Sequence, residues 1–221
     1  MRLVVFDCDG TIVDSAMTIT SSMASAFSNH GLRPPPSSDL RRTIGLSLPE
    51  AVRKLTRESS EREVESVVAS YKEAYRAAHT SADNLDPLVP GLHGTLDTLI
   101  GEGYQLGIAT GKSRNGLERV LKQHGLGKYF STLQTADDAP GKPHPAMLIQ
   151  AMSEIGASPY ETALIGDTTF DIEMAKEASA MPIGVSWGYH DSEDLIAAGA
   201  MHVLDSLDGL VDLLGKLLPS Y

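Results

Sequence analysis

The chain has 221 residues, 42% hydrophobic and 21% charged, the make-up of a globular protein of one or two domains that can bury a core without disulfides or a structural metal. An excess of acidic over basic residues gives a net charge of −11, which argues against a nucleic-acid surface. No apolar stretch is long enough to span a bilayer, Asp7 and Asp9 interrupt any N-terminal leader, and the single cysteine, Cys8, has no internal partner. A cytoplasmic protein that engages neither membrane nor nucleic acid is the expectation.

The first apolar run, Leu3-Val4-Val5-Phe6, is long enough for a strand and too short for a helix, and it leads straight into Asp7-Cys8-Asp9-Gly10-Thr11. Two carboxylates at the end of a buried strand repel each other and lose solvation. A fold tolerates that where a cation or a reaction needs the charge; the plainer reading is an Asp-Gly turn with both acids solvated. Over Ala16–Asn29, Ile19, Met23 and Phe27 recur on one helical face, and Gly31 suits the left-handed position after the helix end. Pro34-Pro35-Pro36 reads as a linker. Ser47-Leu48-Pro49-Glu50 and Ser60 to Glu63 read as helix starts, and Val64, Val67, Val68, Tyr71 and Tyr75 follow at helical spacing. The charges Glu61, Arg62, Glu65, Lys72 and Glu73 form a solvated face.

From Pro90 onward the pattern alternates. A helix at about 91–101 precedes the strand Tyr104–Thr110, a helix at about 113–124 precedes a weaker strand near 131–134, and Pro145 opens a helix with Leu148, Met152 and Ile155 on one face. Ala163–Gly166 is a buried strand followed by a helix from about 170, and Ile183–Ser186 and Met201–Leu204 are two more strands. The fold class is α/β: a Rossmann-like parallel sheet core with an inserted all-helical domain. The expected core is 1–14 and 88–221, the helical insert 15–87, with crossings near Asp14–Ala16 and Leu85–Val89.

Polar residues with chemical potential fall at the ends of three apolar runs. Asp7 and Asp9 follow 3–6, Thr110-Gly111 follows 106–109, and Asp167 follows 163–165 with Asp171 four residues on. Ligands bind beyond the carboxyl ends of strands in open parallel sheets, so these distant segments can meet in one crevice. Three carboxylates, Asp7, Asp9 and Asp167, suit a hard oxygen-seeking cation such as magnesium, and no His/Cys cluster favours zinc. Thr110 offers a hydroxyl, Gly111 a backbone amide near a helix start, and Lys142 a cation in a segment held extended by Pro143 and Pro145. Together they describe a site for a phosphoryl group.

The segment Asp7-Cys8-Asp9-Gly10-Thr11-Ile12-Val13-Asp14-Ser15 resembles the first motif of the haloacid dehalogenase superfamily in its phosphatase form. Thr110, Lys142 and Gly166-Asp167-Thr168-Thr169-Phe170-Asp171 are similar to the second, third and fourth motifs, in order. The likeness spans the chain and is nearest to phosphoglycolate-phosphatase-like members with a helical cap after the first motif. It implies a magnesium-dependent phosphatase acting on a small phosphorylated metabolite, with Asp7 as nucleophile forming an aspartyl-phosphate and Asp9 as general acid and base. It further implies that Asp7, the Asp9 carbonyl and Asp167 hold Mg²⁺, that Thr110, Gly111 and Lys142 bind the phosphoryl oxygens, and that Asp171 orients Lys142 or a metal-bound water. By the same analogy Thr43-Ile44-Gly45-Leu46 is a specificity loop, and Arg41 or Arg42 would grip a substrate carboxylate if not simply solvated.

Other residues take plainer readings. Strand alternation turns Cys8 into the core. His144 is structural or solvated, or else touches substrate; Lys112, two residues beyond Thr110, is a surface lysine or else adds positive charge at the site; Asp14 and Ser15 form a hinge, and Trp187 and Tyr189 line the crevice or pack in the core. A dehalogenase or a phosphonate hydrolase of the same superfamily is disfavoured by Asp9. A sugar-phosphate mutase and a pyrophosphatase stay open, and a non-enzymatic metal- or phosphate-binding protein is disfavoured because both Asp7 and Asp9 are present. The oligomeric expectation is a monomer or homodimer.

Overall fold

The computed structural model describes residues 1–56, 59–79 and 85–218. Six strands form one parallel sheet: β1 (Leu3–Phe6), β2 (Gln105–Thr110), β3 (Thr132–Thr135), β4 (Thr162–Gly166), β5 (Met181–Val185) and β6 (His202–Leu204). Their order across the sheet is β3-β2-β1-β4-β5-β6, so β1 lies in the middle between β2 and β4. Four helices, α1 (Ala16–Asn29), α2 (Ser37–Arg41), α3 (Leu48–Thr56) and α4 (Glu61–Ala78), follow β1. After them come α5 (Leu92–Gly101), α6 (Arg114–Gln123), α7 (Ala146–Ile155), α8 (Thr169–Glu177), α9 (Ser192–Ala198) and α10 (Leu210–Leu217).

The alternation of β1 divides the core. Leu3 and Val5 pack with Met147, Leu148 and Ala151 of α7 and Met174 and Ala175 of α8. Val4 and Phe6 face the other layer, with Leu96 and Leu99 of α5, Leu117 of α6 and Leu210 and Leu214 of α10. Helices α1 to α4 bury a cluster of their own around Met23, Phe27, Leu40, Val52, Val64 and Val67. The chain enters and leaves this cap side by side. Asp14 N donates to Pro87 O at 2.9 Å, Val89 N donates to Ile12 O at 3.0 Å, and Val13 pairs antiparallel with Leu88.

Three helices and one strand boundary depart from the sequence reading. The triple proline is not only a linker, because Pro36, extended at φ −54° and ψ 146°, stands directly before α2. Helices α9 and α10 are not among the expected elements: α9 is seven residues long with Leu195 its one buried residue, and α10 buries Leu210 and Leu214 one turn apart with Asp212 and Lys216 between and after them. Strand β5 starts at Met181, so it includes Pro182. The carbonyl of Pro182 accepts from Met201 N at 2.9 Å, so the nitrogen that cannot donate faces the same side, short of where β6 begins.

The start of α4 is a reciprocal capping box. Ser60 Oγ accepts from Glu63 N, and Glu63 Oε2 accepts from Ser60 N at 2.8 Å. Ser60→Ala is expected to lower unfolding free energy by about 1 kcal/mol, measured by urea denaturation with circular dichroism.

Candidate active site

The carboxyl ends of β1, β2 and β4, with the loops after β3 and β5, converge on one crevice. Asp7 extends the β1 ladder, its N–H donating to Ile165 O at 2.9 Å. Cys8 falls into the opposite core layer, fully buried, where burial pushes its thiol pKa well above the usual range. It is a core thiol, as alternation requires.

Lys142 sits at the centre of the crevice with no exposed surface. Its Nζ lies 2.8 Å from Asp7 Oδ1 and 2.6 Å from Asp171 Oδ1. Burial works against its charge, but Asp171 and Asp7 outweigh that and raise its pKa. Asp171 is the third residue of α8, and its Oδ2 accepts from Thr168 N at 3.1 Å and Thr168 Oγ1 at 2.7 Å. One carboxylate thus caps the helix with one oxygen and orients the lysine with the other. Asp167 takes Thr11 Oγ1 on Oδ1 at 2.8 Å and Tyr189 N on Oδ2 at 3.0 Å. Gly10, at φ +81°, permits this approach, since a Cβ there would overlap the Asp167 carboxylate.

Asp9 has different partners. Its Oδ1 accepts from Ser15 Oγ and pairs with Lys112 Nζ at 2.8 Å. Lys112 is therefore not a surface lysine: its side chain is 8% exposed, and Asp9 and Tyr75 outweigh burial to hold its pKa well above the usual value. Ser15, expected only as a hinge, also lies 3.3 Å from Tyr189 Oη. Thr11 and Ser15 are site residues that spacing alone does not single out, whereas Lys112 and Tyr189 take the crevice position that was the alternative reading of each. Trp187 Nε1 donates to Thr11 O at 3.2 Å, which braces the first loop. His144 is exposed and accepts from Ala146 N at 3.2 Å, a structural role at the start of α7.

Thr110 is buried at the end of β2, and its Oγ1 accepts from Lys112 N at 3.2 Å, which leaves the hydroxyl proton for a ligand. A Cβ on Gly111 would lie 2.6 Å from Leu46 O and 2.9 Å from Gly45 O, so the cap loop rests on this backbone. Gly45 itself, at φ +100°, abuts Thr168 and Phe170. Arg42 does not join the carboxylates. It ends α2, exposed, and lines a cavity of about 900 Å³ with Arg33, Asp39, Thr43 and Lys54. Its neighbour Arg41 reaches nearer the catalytic loops, 3.4 Å from Gly188 O.

The charges do not balance. Asp7, Asp9, Asp167 and Asp171 face two ammonium groups, and Asp167 has no cationic partner among the described residues. Oxygens of Asp7, Asp167 and Asp171 lie within 4.8 Å of one another, and Asp7 Oδ2 is buried without any hydrogen bond. Burial, reinforced by Asp171 and Asp9 and opposed by Lys142, pushes the Asp7 carboxyl up to about 7. Burial, with Asp7 and Asp171, raises Asp167 well above the carboxylate range. An orphaned oxygen in an all-oxygen donor set short of positive charge fits a hard divalent cation.

Without such a cation, the native chain keeps a proton on Asp7 that the unfolded chain has already released between the ordinary carboxylate range and about pH 7. Stability therefore falls as pH rises through that window. Asp7→Asn removes the loss: in metal-free buffer it is expected to melt several degrees above wild type at pH 8 and to match it near pH 4, by scanning calorimetry.

Comparison with known proteins agrees with this geometry. Residues 4–185 match the sequence profile of the haloacid dehalogenase-like hydrolases. The chain is 36% identical to a protein of Dickeya dadantii named "Probable phosphatase IndB", over 98% of this chain and 94% of that one. It is 30% identical to phosphoglycolate phosphatase 1 of Pseudomonas aeruginosa (95% and 78%) and 26% identical to the pyrophosphatase PpaX of Oceanobacillus iheyensis (97% of each). The crystal structure of a hydrolase from Pseudomonas syringae superposes with a TM-score of 0.87 at 27% identity, covering 98% of this chain and 99% of that one. The chain belongs to the haloacid dehalogenase-like hydrolase family.

Proposed function

We propose that the protein is a magnesium-dependent phosphatase that hydrolyses a small-metabolite phosphomonoester, phosphoglycolate-like in size, through an aspartyl-phosphate on Asp7. The observation that carries this reading is the buried Asp7 beside Lys142, with one of its oxygens unpartnered and a second carboxylate two residues away.

An oxygen of Asp7 attacks phosphorus, and the bond from phosphorus to the leaving oxygen breaks. Asp9 gives that oxygen its proton. Asp9 then takes a proton from water, the water oxygen attacks phosphorus, and the Asp7–phosphorus bond breaks to release orthophosphate and restore the carboxylate. Lys142, the Thr110 hydroxyl and the Gly111 amide neutralise the phosphoryl oxygens; each such preorganised donor contributes on the order of 3 kcal/mol. Mg²⁺, when bound, supplies charge stabilisation at the phosphoryl oxygens, and Asp7, Asp167 and the Asp9 carbonyl would hold it. Asp171, with both oxygens engaged by Lys142 and Thr168, orients the lysine.

The small leaving group follows from the cap loop. The Gly45 and Leu46 carbonyls lie against Gly111, so the cap loop sits directly on one of the residues assigned to the phosphoryl group. Gly45 is thus assigned to size selection, while Arg42, on the outer cavity, is assigned no contact with the phosphoryl group.

The direct test is phosphate release from phosphoglycolate, glucose 1-phosphate and pyrophosphate, with magnesium and with excess EDTA. Phosphoglycolate is expected to be turned over fastest, and EDTA to abolish turnover. Preference for pyrophosphate, or conversion of the sugar phosphate to its isomer, would reassign the substrate while keeping the site. Asp7→Asn is expected to lower turnover at least about a thousandfold with an unchanged circular dichroism spectrum. Magnesium is expected to raise the wild-type melting temperature and to leave that of Asp167→Asn unmoved.

A further inference from the structure

Asp9 is tied to the cap through a core lysine. Both of its partners, Ser15 Oγ and Lys112 Nζ, gather on Oδ1, and Oδ2 has no hydrogen-bond partner among the described residues. Lys112 in turn donates to Tyr75 Oη at 3.0 Å and lies 5.0 Å from the centre of that ring. Tyr75 belongs to α4, on the cap, whereas Lys112 follows β2, in the core. The tyrosine is itself braced: its ring stacks on Tyr71 at 5.8 Å and contacts His79 at 4.5 Å. His79 Nε2 lies 3.0 Å from Asp86 Oδ2, on the segment that returns from cap to core, and Thr18 Oγ1 donates to the other Asp86 oxygen at 2.5 Å.

We propose that Lys112 and Tyr75 are positioning residues for Asp9, so that the acid-base carboxylate takes its working place only while the cap is seated. This rests on the phosphatase reading above. An ammonium nearly excluded from water needs partners for its donors, and here Asp9 and the Tyr75 hydroxyl take two of the three. With the cap away, Tyr75 leaves, water reaches the ammonium, and nothing from the cap side fixes its direction. With the cap down, two partners pin one oxygen of Asp9 and leave the other for proton transfer. Water exclusion and acid placement then arrive in a single movement.

The positioning role has a readout that a structural role lacks. An alkyl leaving group needs the proton from Asp9, whereas p-nitrophenolate departs without one. The quantity to compare is kcat/KM, because it reports the steps through departure of the leaving group and not the later hydrolysis of the aspartyl-phosphate. Tyr75→Phe keeps the ring packing and removes only the hydroxyl. The two esters are p-nitrophenyl phosphate and either phosphoglycolate or glycerol 3-phosphate, whichever the wild-type protein turns over faster. Tyr75→Phe is expected to lose about tenfold on the alkyl ester, a part of what general acid catalysis contributes, and less than twofold on the aryl ester. Lys112→Met is expected to show the same asymmetry, enlarged. Equal losses on both esters, or none on either, overturn the inference and leave the phosphatase reading standing. A wild-type protein that turns over neither kind of ester overturns that reading and the inference with it.

Discussion

A lysine with no exposed surface, held between Asp7 and Asp171, is the interaction on which the site depends. Buried ion pairs give little net stability, because desolvation offsets their attraction. This one is also embedded in an excess of negative charge, with Asp167 adjacent and one Asp7 oxygen unpartnered. The surrounding structure accommodates that arrangement at several points. Thr168 and Asp171 cap α8 reciprocally, Tyr189 N and Thr11 Oγ1 take the two oxygens of Asp167, and glycine at position 10 leaves space for that carboxylate. These contacts gather at the carboxyl ends of β1 and β4, around Asp7, Asp167 and Asp171.

What could be read from the sequence follows the range of each interaction. Strand β1 and its two aspartates are adjacent in the chain, so the apolar run and the acidic pair were visible together. Asp171 was visible as a position four residues after Asp167, but its double use as helix cap and lysine partner needs Lys142, 29 residues away. Lys112, two residues beyond Thr110, reads as a surface lysine or as a charge at the site, and nothing local decides between them. Its burial comes from Asp9 and from Tyr75, which is 37 residues distant. Tyr75 in turn fitted an apolar stripe on α4, and only its hydroxyl marks it as more than packing. Arg42, read as solvated or as a grip for a substrate carboxylate, follows α2, exposed, on a cavity it shares with Arg33 and Lys54.

The cap and the sheet core keep separate apolar interiors. The cluster around Met23, Phe27 and Val64 contains only cap residues, and the two clusters on the faces of the sheet contain only core residues. What joins them at the crevice is polar or made of backbone: Arg41 to Gly188 O, Lys112 to Tyr75, Lys54 over the Phe170 ring at 5.3 Å, and the Gly45 and Leu46 carbonyls against Gly111. Separating such an interface exposes little apolar surface, so its cost is small beside that of opening either core.

That division decides where flexibility can reside. The two strands that cross between cap and core are bonded to each other, Asp14 to Pro87 and Val89 to Ile12, so they can act as one paired connection rather than two loose ones. Asp9 lies on the loop that leads into this connection, and Ser15, which donates to Asp9, is the last residue before α1. Ser15 thus ties Asp9 to α1 on one side, while Lys112 and Tyr75 tie it to α4 on the other. By contrast, the hydrogen bonds and ion pairs of Asp7, Lys142, Asp167 and Asp171 run to core residues. Of the residues assigned to the phosphoryl group, Lys142 is thus held by core carboxylates and Gly111 lies under the cap loop, while the residue assigned to proton transfer is tied to the cap through Ser15 and Lys112.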